Sequence, residues 1–270
     1  MNKIYHEIYS RNIGIFTEAE QDKLRQSTIA IAGVGGVGGL LAERLIRLGI
    51  GRLKISDPGV FKKSNLNRQF GASMISLGQN KAETIYNQIK DINPQAKIDF
   101  NTEGITSDAD AIRFVDNSDL VIDEMDFGLY KQSISLQRAA RQKGIYYFFT
   151  TAIGFGAMLV IFHPEGLTLE EYDNLPQNID LDSVKKIEVP MERIMSTIPS
   201  YATVATRDML KKVYDGEILG PVMSIGVGLA SILAANEAIN IVLKKREIAV
   251  APKYTYIDLL DIKFIVGSAS

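Results

Sequence analysis

The chain of 270 residues contains no cysteine, no tryptophan and only two histidines. Without a thiol there is no disulfide framework, no cysteine zinc site and no cysteine nucleophile. Zinc is therefore not expected. His6 and His163 share no ligand spacing and are not expected to be catalytic. Charge of one sign is lacking too: 30 Lys plus Arg stand against 32 Asp plus Glu, a net charge of −2. That balance gives no global attraction to nucleic acid or to an anionic membrane, so neither is expected as a partner. The N-terminus, Met1-Asn2-Lys3-Ile4-Tyr5-His6-Glu7, is polar where a secretory signal would be apolar. No apolar stretch reaches the ~18 residues of a membrane span. A cytoplasmic protein is the expectation. With 46% hydrophobic residues the chain can bury a sizeable core unaided, and 1–270 reads as one domain.

Short apolar runs alternate with amphipathic segments to about residue 150, the rhythm of a parallel sheet with helices on its faces. Thr28–Ala32 reads as the first strand and ends in Gly33-Val34-Gly35-Gly36-Val37-Gly38. Val37, Leu40, Leu41, Leu45 and Leu48 then recur at helical spacing, and Gly49-Ile50-Gly51 closes that helix. Strands are expected at 53–57, 97–100, 120–123 and 145–150, with helices at 81–91 and 131–143. The fold class is a doubly wound, Rossmann-like, mostly parallel α/β sheet. After Thr150 the rhythm changes. Ala157–Phe162 reads as an antiparallel addition, and 254–258 with 263–266 as a terminal antiparallel pair. Residues 164–220 form an irregular segment carrying Pro164, Pro176, Pro190 and Pro199, suited to a substrate groove or crossover. Residues 221–245 form a long helix whose Gly226, Gly228 and alanines suit close packing.

A glycine loop between strand and helix lets backbone approach phosphate above a helix N-terminus. Gly33, Gly35, Gly36 and Gly38 fill that role. Asp57, ending the second strand, can accept hydrogen bonds from ribose hydroxyls. These features imply a nucleotide without choosing NAD over ATP. Ser64-Asn65-Leu66-Asn67-Arg68-Gln69-Phe70 follows, with Lys81 at the next helix start. Hydride transfer needs no such cluster, whereas attack on an α-phosphate needs positive groups where charge develops. Arg68 offers a bidentate fork and Lys81 a compact charge. Asp123 and Asp126 sit at the carboxyl end of the fourth strand, where a carboxylate can hold Mg²⁺; Asp126 could instead cap the next helix.

In this order the motifs resemble the ThiF/MoeB family, the adenylating fold shared with ubiquitin-activating enzymes. The resemblance is close over about residues 5–163 and looser over the helix at 221–245. It implies that Gly33, Gly35, Gly36 and Gly38 line the phosphates and adenosine and that Asp57 binds ribose. It implies that Asn65, Asn67, Arg68, Gln69 and Lys81 hold the nucleotide, and that Asp126 holds magnesium. Tyr9-Ser10-Arg11-Asn12 looks like the family's N-terminal element, within a helical stretch over 1–27. Its arginine, Arg11, is implied to reach the γ-phosphate of the other subunit of a homodimer. Two departures stand out: Gly59 where a second acid often follows Asp57, and Phe127 where Asn often follows the metal-site Asp.

The resemblance implies an ATP- and Mg²⁺-dependent adenylyltransferase with Arg68, Lys81, Arg11 and Asp126 as its catalytic set. Its substrate would be a carboxylate of a peptide or ubiquitin-like carrier protein. Lacking cysteine, the chain cannot pass the acyl group to its own thiol. A carboxylate-activating cyclase acting on a tRNA nucleoside is the alternative within the family, and an NAD-dependent oxidoreductase the alternative outside it.

Overall fold

The computed structural model describes residues 3–269 apart from 185, 186, 191, 192, 194–196, 198, 202–207, 210, 214–216 and 219. Its strands are β1 (Thr28–Ala32), β2 (Arg52–Ser56), β3 (Lys97–Asn101), β4 (Leu120–Asp123), β5 (Tyr146–Ile153), β6 (Gly156–Phe162), β7 (Lys253–Asp258) and β8 (Lys263–Ser268). They form one 8-stranded sheet ordered β3-β2-β1-β4-β5-β6-β7-β8. From β3 to β5 the pairing is parallel, and from β5 to β8 antiparallel. Strand order reverses between β1 and β4, and α/β sheets bind ligands outside the carboxyl ends of strands at such a switch point.

The described helices are α1 (Lys3–Ile8), α2 (Glu18–Gln26), α3 (Gly36–Leu48), α4 (Lys81–Ile92), α5 (Asp108–Val115), α6 (Tyr130–Gln142), α7 (Leu169–Tyr172) and α8 (Ser224–Leu243). Two apolar cores result, one on each face of the sheet. Leu24, Leu41, Leu45, Ile85, Ile89, Leu233 and Ala234 bring α2, α3, α4 and α8 onto one face with Ile29, Ile31 and Leu159. Phe114, Ile134, Leu136 and Tyr172 bring α5, α6 and α7 onto the other with Val121, Tyr147 and Phe162. Apolar strands such as β4 and β6 are buried along their whole length because helices cover both sides.

Caps explain where helices begin and end. Thr17 and Glu20 form a capping box on α2, Asn80 caps α4, and Ser107 caps α5. Gly49, at φ 96°, closes α3 in the left-handed region that glycine tolerates. The sequence reading gave 108–115 no helix. Only Ala111, Phe114 and Val115 of α5 are buried, at helical spacing but over little more than one turn of an eight-residue segment. It also found no span-length apolar stretch, whereas α8 is long and apolar enough to cross a membrane. Most of α8 is buried in this fold, against α3 on one side and β5 and β6 on the other, which accounts for its all-round apolar composition. Gly226 sits where a Cβ would lie 2.5 Å from the Gly154 carbonyl oxygen and so has the close-packing role expected of it, whereas Gly228, expected to share that role, faces open space. Much of 185–219, in the segment expected to be a substrate groove or crossover, lies outside the described residues.

Candidate functional site

At the carboxyl end of β1 the backbone passes so near β4 that no side chain fits. A Cβ on Gly33 would lie 2.2 Å from the Glu124 carbonyl oxygen, and one on Gly38 1.9 Å from that of Gly33. Gly33 also adopts φ 86°. The loop leads into α3 with Gly35 as N-cap and no side-chain cap, which leaves the first-turn N–H groups for a ligand.

Asp57 braces this loop. One carboxylate oxygen accepts from Val34 N–H at 3.0 Å and the other from Gly59 N–H at 2.8 Å. A carboxylate accepts about four hydrogen bonds, so capacity for ribose hydroxyls remains. Gly59 makes room beside it. A Cβ there would come 3.0 Å from Asp57 Oδ1 and 3.4 Å from Lys81 Nζ, so a side chain at 59 would crowd the lysine.

Three polar side chains converge on Gly35 and Gly36. A Cβ on Gly35 would lie 3.4 Å from Gln69 Nε2 and 3.7 Å from Lys81 Nζ, and one on Gly36 3.9 Å from Arg68 Nε. Gln69 is buried, and its Oε1 has no hydrogen-bond partner among the described residues. Burying an unmet acceptor is costly, so a ligand donor fits there. The far wall is α8, whose Val227 methyl would be 3.3 Å from a Cβ on Gly36. Burial lowers the Arg68 pKa, while the negative charge of Asp126 opposes that shift and marks it as the facing carboxylate.

The remaining expected residues divide. Asn65 is buried and builds the turn: its Oδ1 accepts from Lys62 N–H at 2.9 Å, and its backbone carbonyl from the Arg68 and Gln69 amides. Asn67 donates to the Val222 carbonyl at 3.1 Å and accepts from Arg68 at 3.0 Å. Asp126 is exposed and does not cap α6, whose N-cap is Leu129 with no side-chain bond. Asp123 is tied internally, accepting from the Tyr147 hydroxyl at 2.6 Å and from Met125 N–H at 3.0 Å. Burial raises its pKa.

Arg11 does not join the cradle of its own chain. Its neighbours Tyr9 and Asn12 donate to the carbonyls of Ile46 and Leu48, at the opposite end of α3. A 13-residue helix is roughly 20 Å long, beyond the reach of that arginine. Sequence reasoning missed Glu124, whose carboxyl accepts from the Thr150 hydroxyl at 2.7 Å behind the glycine loop. Burial holds its pKa well above the usual carboxylate range. Its one sequence signal is a second acid directly after a fully apolar strand.

Uncapped helix start, braced loop and converging amide, ammonium and guanidinium lie on a chain that the ThiF family pattern matches over residues 9–268. The chain belongs to the ThiF family. The tRNA threonylcarbamoyladenosine dehydratase of Bacillus subtilis is 35% identical over 123 residues, 46% of this chain and 48% of that protein. Ubiquitin-like modifier-activating enzyme 5 of Culex quinquefasciatus is 37% identical over 97 residues, 36% of this chain and 24% of that protein. The chain thus spans less than half the length of these curated relatives. The crystal structure of Escherichia coli MccB with ATP superposes with a TM-score of 0.74 at 19% identity, covering 100% of this chain and 72% of that one. That likeness supports the Rossmann-like fold read from the sequence.

Proposed function

We propose that this ThiF-family protein is an ATP-dependent adenylyltransferase that activates a carboxylate. The observation carrying the reading is the convergence of Gln69, Lys81 and Arg68 on the uncapped start of α3. The pyrophosphate of a nicotinamide cofactor is already met by a glycine loop and helix N-terminus, so the added amide, ammonium and guanidinium favour a triphosphate. In the proposed step a carboxylate oxygen attacks the α-phosphorus, the bond to the bridging oxygen breaks, and pyrophosphate leaves with the electron pair. The product is an acyl-adenylate. A carboxylate is already ionised near neutral pH, so no base is needed. The residues act by positioning and by meeting developing charge: Arg68 and Lys81 on the phosphates, α3 N–H groups on the same oxygens, Asp57 on the ribose.

Among the described residues no group of three His, Asp or Glu side chains is arranged to hold a metal ion. Magnesium binds through one or two carboxylates plus substrate phosphates, and exposed Asp126, facing Arg68, fits that donor set. When bound, Mg²⁺ would neutralise phosphate charge. Arg11 lies too far from its own cradle and is proposed to serve that of a second copy in a homodimer.

The favoured substrate is the carboxyl group of a peptide or a ubiquitin-like carrier protein, as the name of the Culex relative suggests. The Bacillus relative favours a second reading, a carboxylated tRNA nucleoside. ATP–pyrophosphate exchange tests both. Exchange stimulated by a carboxyl-terminal peptide or carrier supports the first reading, and stimulation by tRNA alone the second. No exchange with either, together with binding of NADH, would sink the proposal.

A further inference from the structure

Arg68 has five N–H donors in a planar fork. Both donors of Nη1 are occupied, one by the Ser64 carbonyl at 2.9 Å and the other by Asn67 Oδ1 at 3.0 Å. Among the described residues neither Nε nor Nη2 has a hydrogen-bond partner, and Nε is the atom nearest Gly36. The edge left free is the side-on pair that binds two oxygens of one phosphate. Asn67 is itself held in place, its amide donating to the Val222 carbonyl at 3.1 Å. Val222 directly precedes Met223, the N-cap of α8, which has no side-chain cap of its own. The fourth residue of α8 is Val227, the residue packed against Gly36.

We propose that Asn67 is a positioning residue that clamps Arg68 to the start of α8 and turns the free Nε/Nη2 edge of Arg68 toward the phosphates, without touching the nucleotide itself. This deepens the proposed function and rests on it. It also replaces the expectation that Asn67 is a nucleotide ligand. A dipeptide of ligands would need both side chains to face the cradle, whereas here Asn67 faces α8 and Arg68 faces Gly36.

The test is a double-mutant cycle read by calorimetric binding of Mg·ATP and of adenosine, a probe without phosphates. Asn67→Leu keeps the side-chain volume and removes both hydrogen bonds. It should weaken Mg·ATP about fivefold, the effect of losing one hydrogen bond of ordinary strength, and leave adenosine unchanged. In an Arg68→Ala background the same substitution should have no further effect, and the melting temperature should stay at the parent value. Equal weakening of ATP and adenosine would make Asn67 a structural residue. A persisting fivefold loss in the Arg68→Ala background would make it a direct ligand. Unchanged ATP binding would show the clamp to be idle. Each of those three results overturns the proposal. Failure of the wild-type protein to bind Mg·ATP would instead overturn the nucleotide reading, and the clamp with it.

Discussion

Arg68 and Arg138 are both partly buried arginines, and the fold treats them in opposite ways. Arg138 donates through Nη2 to Glu170 at 2.6 Å and to the Ile179 carbonyl at 2.7 Å, and Glu170 is only 2% exposed. That cluster ties α6 to α7 and the turn beyond with its charge neutralised. A similar closed network joins Tyr201, Tyr256 and Asp258 at the β5–β6 turn and β7. Arg68 has no carboxylate in hydrogen-bond contact among the described residues, keeps one edge of its fork unmet, and lies beside an unmet Gln69 oxygen. Closed networks hold the structure together. The donors left open at Arg68 are those the proposed function assigns to a phosphate.

Substitutions at the two arginines should therefore separate activity from stability. Arg68→Ala should reduce ATP–pyrophosphate exchange by about 10²–10³, the range for losing a donor to developing charge, with little change in melting temperature. Arg138→Ala should do the reverse: it leaves Glu170 buried without its cation and should cost about 3 kcal/mol of stability in chemical denaturation, with ATP affinity unchanged. If Arg138→Ala abolished ATP binding in folded protein, the contrast between the two sites would collapse. Asp126→Asn should raise the Mg²⁺ concentration for half-maximal exchange about tenfold, roughly 1.4 kcal/mol of interaction. Unaltered Mg²⁺ dependence would remove Asp126 from the site.

A pH-dependent effect on stability sits in the closed region. Burial pushes the Asp173 carboxyl up to about 7, with Arg193 pulling the other way. Its unfolded value is about 3.9, so between those pH values the folded protein binds more protons than the unfolded chain. Stability contributed by this group therefore falls as pH rises from about 4 to about 7 and levels off above. Asp173→Asn should melt higher than wild type at pH 8 and alongside it at pH 4. A variant that kept the wild-type difference between pH 4 and pH 8 would assign the slope elsewhere.

Much of the sheet was legible because β1, β4 and β6 are largely apolar runs, and because only short turns separate β5 from β6 and β7 from β8, too short for the crossover helix a parallel pair needs. α5 was not, since its signal lies in the Ser107 cap and the Asp110 below it more than in apolar spacing. Within the candidate site, residue types and spacing from a strand end were enough to single out Gly35, Asp57, Arg68, Gln69 and Lys81, which the fold brings close together. Direction was the missing quantity. Nothing in Asn65-Leu66-Asn67-Arg68-Gln69 tells which amide builds the turn, which braces a neighbour and which faces the cleft. Glu124 was hidden for a related reason: it is placed by a strand neighbour, Thr150.

The most direct test of the cradle is a side-by-side titration of the purified protein with Mg·ATP and with NADH, repeated on Arg68→Ala. The account predicts saturable binding of Mg·ATP that pyrophosphate competes away and that Arg68→Ala weakens strongly, with no saturable binding of NADH. Saturable NADH binding that ATP and pyrophosphate leave untouched, and that Arg68→Ala does not change, would contradict it.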